Sequence, residues 1–339
     1  MQRLKQRVRI SIAATLFYTG VLHLCAWLVL RKRIVVLTYH RVLPPQRLGR
    51  SFSAHSIVVS PEVFAMHMAC VSRWLHPLTQ EQFIAHSAPG ATPPPRSCLV
   101  TFDDGWYDNH EYALPVLRQF EVPMTLFVAT NYIGSDDCFW QERLASLLFV
   151  ARAQPQAREL LAELGAADLS TMDDAVARHA VLTVVARVKN DKKDAQALIA
   201  RLAAIAPAGQ AAQNEDRFLT LAQLQELQQS GWISIGSHAM SHARLNLQAD
   251  ERIVAELAGS RDTIARWLDR TPLTLAYPNG DYDQRVIDAA AAAGYRASFT
   301  TDRGHFRPGD NPHTVKRINM HEGIAPTRAL FLCRVIGLF

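Results

Sequence analysis

The sequence predicts an α/β fold in which parallel strands form a barrel-like sheet. Short β-branched runs alternate with helical segments over about 300 residues, which is the pattern of βαβ units. Two of these runs end in acids or histidines next to glycine, as strands do at the catalytic rim of α/β barrels. The 339 residues, 49% of them hydrophobic and 20% charged, suffice for one large or two modest domains with a sizeable core.

The composition excludes several other classes of protein. Near-average hydrophobic and charged fractions exclude collagen, coiled coil and wholesale disorder. The five cysteines are scattered without a CxxC pair, which argues against a disulfide framework or a Cys-rich zinc site. The formal net charge is +5, but seven basic residues flank one N-terminal apolar stretch. The rest of the chain is roughly neutral, so we expect no nucleic-acid partner.

The first predicted element is a hydrophobic helix within residues 1–33. From Ile10 to Leu30 no residue carries a formal charge, and this run is just long enough to cross a hydrocarbon core of about 30 Å. No small-residue cleavage site follows, so a removable signal is the weaker interpretation. We favour a single membrane helix, with an interfacial or domain-packed helix as the alternative. Basic residues on both sides leave its orientation open.

The next segments predict a parallel βαβ series. Residues 34–40 (IVVLTYH) predict one strand, and Leu99–Phe102 predict a second that is followed by an acidic turn. A helix over 109–120 then leads to a strand over 122–130. The first strand follows the N-terminal helix with almost no linker, so that helix attaches at the amino ends of the strands. We therefore expect the catalytic mouth to face away from the bilayer.

Residues 138–216 predict an inserted helical subdomain, which we place near the substrate entrance, because they are rich in Ala, Leu and Gln with hardly a strand signal. The alternation then resumes with a helix that has Thr220 as N-cap and Gly231 as C-terminal stop. Four further strands are predicted at 232–238 (WISIGSH), 273–280 (LTLAYPNG), 295–301 (YRASFTT) and 315–320 (VKRINM).

Two strand ends carry candidate ligands for a metal ion. Asp103 and Asp104 follow one strand, and His238 and His242 follow another, in a predicted helical turn where the i, i+4 spacing puts both rings on one face. Two imidazoles and a carboxylate suffice for a catalytic divalent metal with an open position. Each motif alone is weak, since acid pairs are commonly solvated turns. Ala239 excludes the HExxH motif of helical metalloproteases.

These residues together resemble the motifs of the polysaccharide deacetylase family, also called the NodB-homology domain or carbohydrate esterase family 4. Residues 101–105 (TFDDG) and 237–242 (SHAMSH) resemble its first two motifs, and 37–42 (LTYHRV) and 275–283 (LAYPNGDYD) resemble a branch of it. The resemblance implies a distorted (β/α)7 barrel, related to the TIM barrel, over residues 34–330 with the insertion at about 138–216.

The resemblance also implies an activity and a setting. The family hydrolyses N-acetyl groups from amino sugars of a polysaccharide or glycan, so it acts on non-peptide carbon–nitrogen bonds. It uses a divalent metal, and Zn²⁺ is the expected ion. A bacterial cell-envelope role follows, with the N-terminal helix in the inner membrane and the side of the membrane undetermined.

Carried over position by position, the resemblance implies roles for individual residues. Asp104, His238 and His242 match the metal ligands, and Asp103 matches the general base. One carboxylate holds the metal, so the other remains free to take a proton from water.

Two positions depart from the family pattern. Ala276 stands where an arginine orients the base, and Asn279 stands where an aromatic residue follows the proline. We expect Arg317, on the last predicted strand, to supply the guanidinium, although a surface position is the alternative. Asn279 and Tyr277 are candidates for binding the substrate or the oxyanion, through backbone N–H groups near Asn279.

The sequence motif for the general acid is the weakest of the family motifs in this chain. His321 resembles the family's last motif loosely and is a candidate acid, with an ordinary loop histidine as the alternative. His40 ends the first strand near the rim. Its side chain either takes part in the site or is a packed, hydrogen-bonded histidine. Trp106 is a candidate wall for the sugar, although aromatic residues beside such a turn more often pack in the core.

The predicted function is metal-dependent N-deacetylation of a glycan. The first alternative is a different bond on the same site, either an O-acetyl ester or a non-sugar amide, because a fold does not fix a substrate. The second is a catalytically silent glycan-binding protein, for which Ala276 and the uncertain acid argue.

Overall fold

A computed structural model describes residues 2–191, 194–206 and 216–338. The strands in these residues are β1 (Val35–Tyr39), β2 (Arg41–Val42), β3 (Val58–Val59), β4 (His76–Pro77), β5 (Ser97–Phe102), β6 (Met124–Val128), β7 (Ile233–Ser237), β8 (Thr274–Ala276), β9 (Ala297–Arg303) and β10 (Val315–Asn319). The α-helices in the same residues are α1 (Gln2–Tyr18), α2 (Val21–Val29), α3 (Pro45–Leu48), α4 (Pro61–Trp74), α5 (Gln80–Ser87), α6 (Leu114–Phe120), α7 (Trp140–Ala151), α8 (Arg158–Glu163), α9 (Asp174–Asn190), α10 (Ala195–Ile205), α11 (Leu221–Gln229), α12 (Asp250–Leu268), α13 (Gln284–Ala292) and α14 (Arg328–Val335).

Seven of the described strands close into a parallel barrel in the order β1-β10-β9-β8-β7-β6-β5, and β5 pairs back to β1. The closing register places Tyr39 beside Phe102, while Leu37 lies beside Ile318 on the other neighbour of β1. Short strand β4 pairs with β5 outside the ring. The predicted (β/α)7 barrel is confirmed. All seven strands run parallel, so their carboxyl ends meet at one rim.

Local signals account for where several helices begin. Thr220 caps α11 in a capping box with Gln223, and Gly231 adopts a positive φ just beyond the helix, as predicted. Ser60 caps α4, whose first residue is Pro61. The helix predicted over 109–120 begins with a π-helical turn, Asn109–Ala113, before α6.

The N-terminal segment is a pair of helices, so the expectation of a single helix was wrong. The helix is interrupted at Thr19 and Gly20. Gly20 has a φ of 80°, and the Thr19 hydroxyl donates to the Thr15 carbonyl. The two helices are bent by 84°. Among the described helices, none alone has the length and apolarity to cross a membrane, whereas the bent pair has both.

The chain forms two compact units. One comprises Met1–Val42, Ser56–Ser135 and Phe218–Phe339, and contains the barrel together with the N-terminal pair. The other comprises Leu43–His55 and Asp136–Arg217. Helices α7 to α10 pack around a hydrophobic cluster in this second unit, and its described residues contain no strand, in keeping with the helical character predicted for 138–216. Residues 192–193 and 207–215 of that prediction lie outside the described residues.

Candidate metal and catalytic site

The predicted acids and histidines converge at the carboxyl rim of the barrel. Asp103 and Asp104 directly follow β5, and His238 follows β7. Asp104 leaves its strand with a φ of 82°, and Ala239 and His242 have φ values of 61° and 56°. These left-handed residues turn the chain sharply at both strand ends. The predicted helical turn between the two histidines was therefore wrong, because the backbone there is an irregular loop.

Asp104, His238 and His242 form a cluster with metal-ligand geometry. Asp104 Oδ1 lies 3.5 Å from the Nε2 atom of each histidine. The three ligand atoms lie within 4.8 Å of one another. Two ligand bonds of about 2 Å span such separations.

Hydrogen bonds on the far side of two ligands leave the correct atoms pointing into the cluster. His238 Nδ1 donates to the carbonyl oxygen of Ala276 at 2.7 Å, so its Nε2 lone pair faces Asp104. The Trp106 indole N–H donates to Asp104 Oδ2 at 2.8 Å, which leaves Oδ1 for an ion. This donor set, two nitrogens and one carboxylate oxygen, fits a divalent metal with an open position.

The protonation states of Asp104 and His242 suit metal ligation. Burial alone would raise the pKa of Asp104, but the neighbouring imidazoles of His238, His40 and His242 outweigh it and hold that pKa well below its usual range. Burial lowers the pKa of His242 to about 3, so this imidazole is neutral and has a lone pair to give. Burial also opposes protonation of His238, but Asp104 and Asp103 raise the pKa of His238 above its usual value.

Asp103 has a separate partner. Arg317 from β10 donates to both of its carboxylate oxygens at 2.7 Å, and the Arg317 Nε–H donates to the Thr300 carbonyl at 2.7 Å. Arg317 is 1% exposed, so its alternative as a surface residue is excluded. Burial would raise the pKa of Asp103, but Arg317, followed by His238 and His40, lowers it overall. The carboxylate is therefore held ionised beside the metal-ligand cluster.

The two candidate acids lie at the same rim. His40 follows β1, and its Nε2 atom lies 3.9 Å from Asp103 Oδ2. His321 follows β10 and is partly buried. Burial, with the charges of Arg334 and His40, lowers the pKa of His321. The Nδ1 atoms of both rings are buried without a hydrogen-bond partner among the described residues.

The rings of Trp106 and Tyr277 are buried in the core, so neither is exposed to stack on a sugar, and the structure supports the core-packing alternative for Trp106. The Trp106 ring is fully buried between Phe218, at 4.3 Å, and the Arg41 guanidinium, at 4.2 Å. The Tyr277 ring is also fully buried, and its hydroxyl donates to the His313 carbonyl at 3.0 Å. Both rings are held by core contacts that sequence alone does not reveal.

Asn279 lies on the rim in the loop after β8. Its φ is 57°, and its carbonyl oxygen accepts a hydrogen bond from the Thr301 hydroxyl at 3.3 Å. A side chain at the neighbouring Gly280 would place its Cβ only 2.6 Å from the Thr301 backbone nitrogen, so that position requires glycine. The loop is thus held close to β9 in a left-handed turn.

Sequence reasoning missed Glu256. This buried carboxylate of α12 accepts hydrogen bonds from the backbone N–H groups of Met240 and Ser241, at 2.8 and 2.9 Å, and from the Ser241 hydroxyl at 2.5 Å. It therefore fixes the loop that carries both histidines. A buried acid inside an amphipathic helix is the single signal that the sequence offered, and its partner could not be inferred from it.

The barrel and this site together define an α/β barrel whose rim has a cluster that could hold a cation and an adjacent ionised carboxylate. The family model for polysaccharide deacetylase matches residues 90–167 and 191–298, and the chain belongs to this family. It is accordingly a hydrolase acting on carbon–nitrogen bonds.

Individual proteins that are similar to this chain in sequence or fold are also described as deacetylases or align with the same fold. The Bacillus subtilis protein YxkH, provisionally described as a polysaccharide deacetylase, is 21% identical over 307 residues, covering 88% of this chain and 76% of that protein. The poly-β-1,6-N-acetyl-D-glucosamine N-deacetylase of Staphylococcus epidermidis is 31% identical over 109 residues, which are 30% of this chain and 37% of that protein. The structure of IcaB from Ammonifex degensii aligns with a TM-score of 0.59 at 18% identity, covering 89% and 97% of the two chains. Streptococcus pyogenes PplD, solved with acetate, aligns at 0.56 and 18% identity over 87% and 95%.

Proposed function

We propose that this protein is a metal-dependent N-deacetylase that acts on N-acetylated amino sugars in a polysaccharide. The observation that carries this proposal is that the two adjacent aspartates at the rim have different partners. Asp104 faces two imidazoles, while both carboxylate oxygens of Asp103 accept hydrogen bonds from Arg317. The similarity to a poly-N-acetylglucosamine N-deacetylase supports an amino sugar as the acetyl carrier.

Asp104, His238 and His242 would hold the ion, and Zn²⁺ suits a set of two nitrogens and one oxygen. A divalent ion held there would supply Lewis acidity, which would polarise the acetyl carbonyl and lower the pKa of water. Asp103 accepts the proton from the attacking water, and Arg317 keeps that carboxylate ionised and oriented. The backbone around Asn279 is our candidate for binding the oxyanion.

The carbon–nitrogen bond breaks to give acetate and a free amine, and the departing nitrogen needs a proton. We propose His321 as the donor, with His40 as the second candidate on the same rim. His321 lies on this rim, and its Nδ1 atom is buried without a hydrogen-bond partner among the described residues.

Acetate release tests this function. Purified protein is incubated with N-acetylglucosamine oligomers of β-1,6 and β-1,4 linkage and with an O-acetylated glycan, with chelator and after re-addition of Zn²⁺. We expect acetate from an N-acetylated oligomer, loss with chelator and recovery with zinc. Release from the O-acetylated glycan alone would establish the esterase instead. Binding without release from any substrate by the metal-loaded protein would establish the glycan-binding alternative.

Asp103→Asn separates the base from the metal ligands. We expect this variant to keep its metal content but to lose activity by about 10²-fold or more, because the amide does not accept the proton. Metal analysis and initial rates measure the two effects, with the exposed Asp288→Asn on α13 as control. Full activity of Asp103→Asn would show that another group is the base.

We also propose that the protein associates with the bacterial inner membrane through its N-terminal segment. The proposal does not specify on which side of the membrane the barrel lies. The apolar residues and flanking basic residues of the segment support this proposal. Because the two helices are bent by 84°, they do not form one straight helix across the membrane.

A further inference from the structure

The N-terminal helix pair has one apolar face packed on the barrel unit. Ala13 in α1 and Leu22, Ala26 and Leu30 in or next to α2 are at most 3% exposed and belong to the main core cluster. The rings of Phe17 and His23 contact Trp74 of α4, with centroids 5.3 and 4.9 Å apart. Since protein covers this face, neither helix is positioned to be surrounded by lipid.

The opposite face of the pair is apolar and exposed. On α2, Val21, Leu24 and Leu28 follow an i, i+3, i+7 spacing and so share one side of the helix. Among the described residues, eight of the twelve large hydrophobic side chains that are exposed lie on this pair: Val8, Ile10, Ile12, Tyr18, Val21, Leu24, Trp27 and Leu28. Such a concentration marks an interaction surface.

The charge of the N-terminal residues indicates which kind of partner this surface binds. No aspartate or glutamate occurs before Glu62, whereas the same 61 residues contain ten lysines and arginines. An apolar helical face bordered by basic residues, with Trp and Tyr on it, matches an anionic lipid surface.

A basic cleft lies where α2 ends. It has a volume of about 470 Å³, and the described residues that line it are four cations and two aliphatic residues, with no acid among them: Leu28, Val29, Arg31, Lys32, Arg33 and Arg307. The Arg31 guanidinium lies 5.7 Å from the centre of the Trp27 ring. Apolar and cationic groups thus adjoin in the arrangement that acyl chains and a phosphate headgroup require.

We propose that this helix pair is an in-plane membrane-docking surface, with its exposed apolar face in the headgroup–acyl boundary and the phosphate of an anionic phospholipid in the basic cleft. This inference deepens the proposed membrane association and is independent of the proposed reaction. The five residues of β1 begin just after the cleft and span about 16 Å. The lipid site and the catalytic rim therefore lie at opposite ends of the barrel.

Vesicle flotation of the full-length protein tests the proposal. We expect binding to vesicles of phosphatidylcholine with about one-quarter phosphatidylglycerol, little binding to phosphatidylcholine alone, and release by about 1 M NaCl. Arg31→Glu with Lys32→Glu should lower binding at least tenfold. A matched charge reversal at two exposed arginines elsewhere in the barrel unit, Arg118→Glu with Arg296→Glu, should leave it within twofold.

The apolar face is tested in the same way. Leu24→Ser with Leu28→Ser should also lower binding at least tenfold, whereas Leu247→Ser with Val254→Ser, two exposed aliphatic residues outside the pair, should not. Equal binding to uncharged vesicles, equal losses in the control pairs, or retention after high-salt and alkaline washing would overturn in-plane docking. No vesicle binding would overturn membrane association as well. Docking without acetate release would contradict the proposed reaction alone.

Discussion

Adjacent aspartates at the rim have different partners and therefore different chemistry. Trp106 occupies one oxygen of Asp104 and leaves the other facing His238 and His242. Both oxygens of Asp103 are occupied by Arg317. A carboxylate gripped at two points by a buried guanidinium is fixed in orientation, as a general base must be.

Arg317 substitutions test this positioning role. Arg317→Met leaves a buried carboxylate without its cation, so we expect about 3–5 kcal/mol less stability and at least a 10²-fold loss of kcat. Arg317→Lys keeps the charge without the two-point contact and should restore part of kcat. Kinetics, metal content and urea unfolding give the three readouts, with exposed Arg296→Met as control. A Met variant with normal kcat would remove Arg317 from the mechanism.

At the scale of elements, a helix behind the barrel shapes the metal-ligand loop. The loop after β7 has two left-handed residues, and Glu256 of α12 binds its backbone. Met240 from the loop packs over Gly259 of the same helix, where any Cβ would lie 2.4 Å from the Met240 sulfur. The ligand geometry thus depends on α12 as well as on the strand.

Glu256→Ala should weaken metal binding by about 10- to 100-fold, as loss of groups that orient ligands does elsewhere. Glu256→Gln keeps acceptor atoms and should fall between this variant and the native protein. Competitive titration with a metal indicator measures the affinity, and Glu251→Gln, exposed in the first turn of α12, is the matched control. Unchanged affinity in Glu256→Ala would show that the loop holds its shape without the carboxylate.

The packing of α4 predicts a pH dependence of stability. His67 is fully buried; its Nδ1 accepts from the Tyr39 hydroxyl at 3.1 Å, and its Nε2–H donates to the Ala325 carbonyl at 2.7 Å. Burial lowers the pKa of His67 to about 4, against an ordinary value of 6.5. The unfolded chain therefore takes up this proton first as the pH falls, and stability is lost between pH 6.5 and 4 by up to about 3 kcal/mol.

Urea unfolding at pH 7.5 and 4.5 measures this loss. In His67→Gln the difference between the two pH values should be smaller, because the titrating group is gone. The exposed His76→Gln should keep the native difference. Identical pH dependence in the native protein and His67→Gln would mean that other groups cause the acid sensitivity.

At the scale of the whole molecule, the N-terminal pair is part of the barrel unit's core. Contacts place it in the same compact unit as the barrel, and its buried residues share a cluster with α14 and α4. An anchor that merely tethered the enzyme would have no such cluster. The segment therefore contributes to folding as well as to the proposed docking.

Two leucines on α2 test that contribution. Leu22 is fully buried and Leu24 is 59% exposed. Leu22→Ala should cost about 2–5 kcal/mol of unfolding free energy, and Leu24→Ala should stay within about 0.5 kcal/mol of the native value. Chemical denaturation of the full-length variants provides the comparison. Similar values for both would show that the pair is only loosely attached.

The sequence by itself determined the barrel and brought Asp103, Asp104, His238 and His242 to one rim, because strand periodicity is local and parallel strands share a direction. Through the family resemblance it also suggested Arg317 as a substitute for the arginine missing at Ala276. The tertiary structure alone decided that Arg317 grips Asp103, that the Trp106 ring is buried, that Glu256 holds the histidine loop and that the N-terminal segment bends onto the core. Each of these depends on contacts between residues far apart in the chain, which the local pattern of a sequence does not encode.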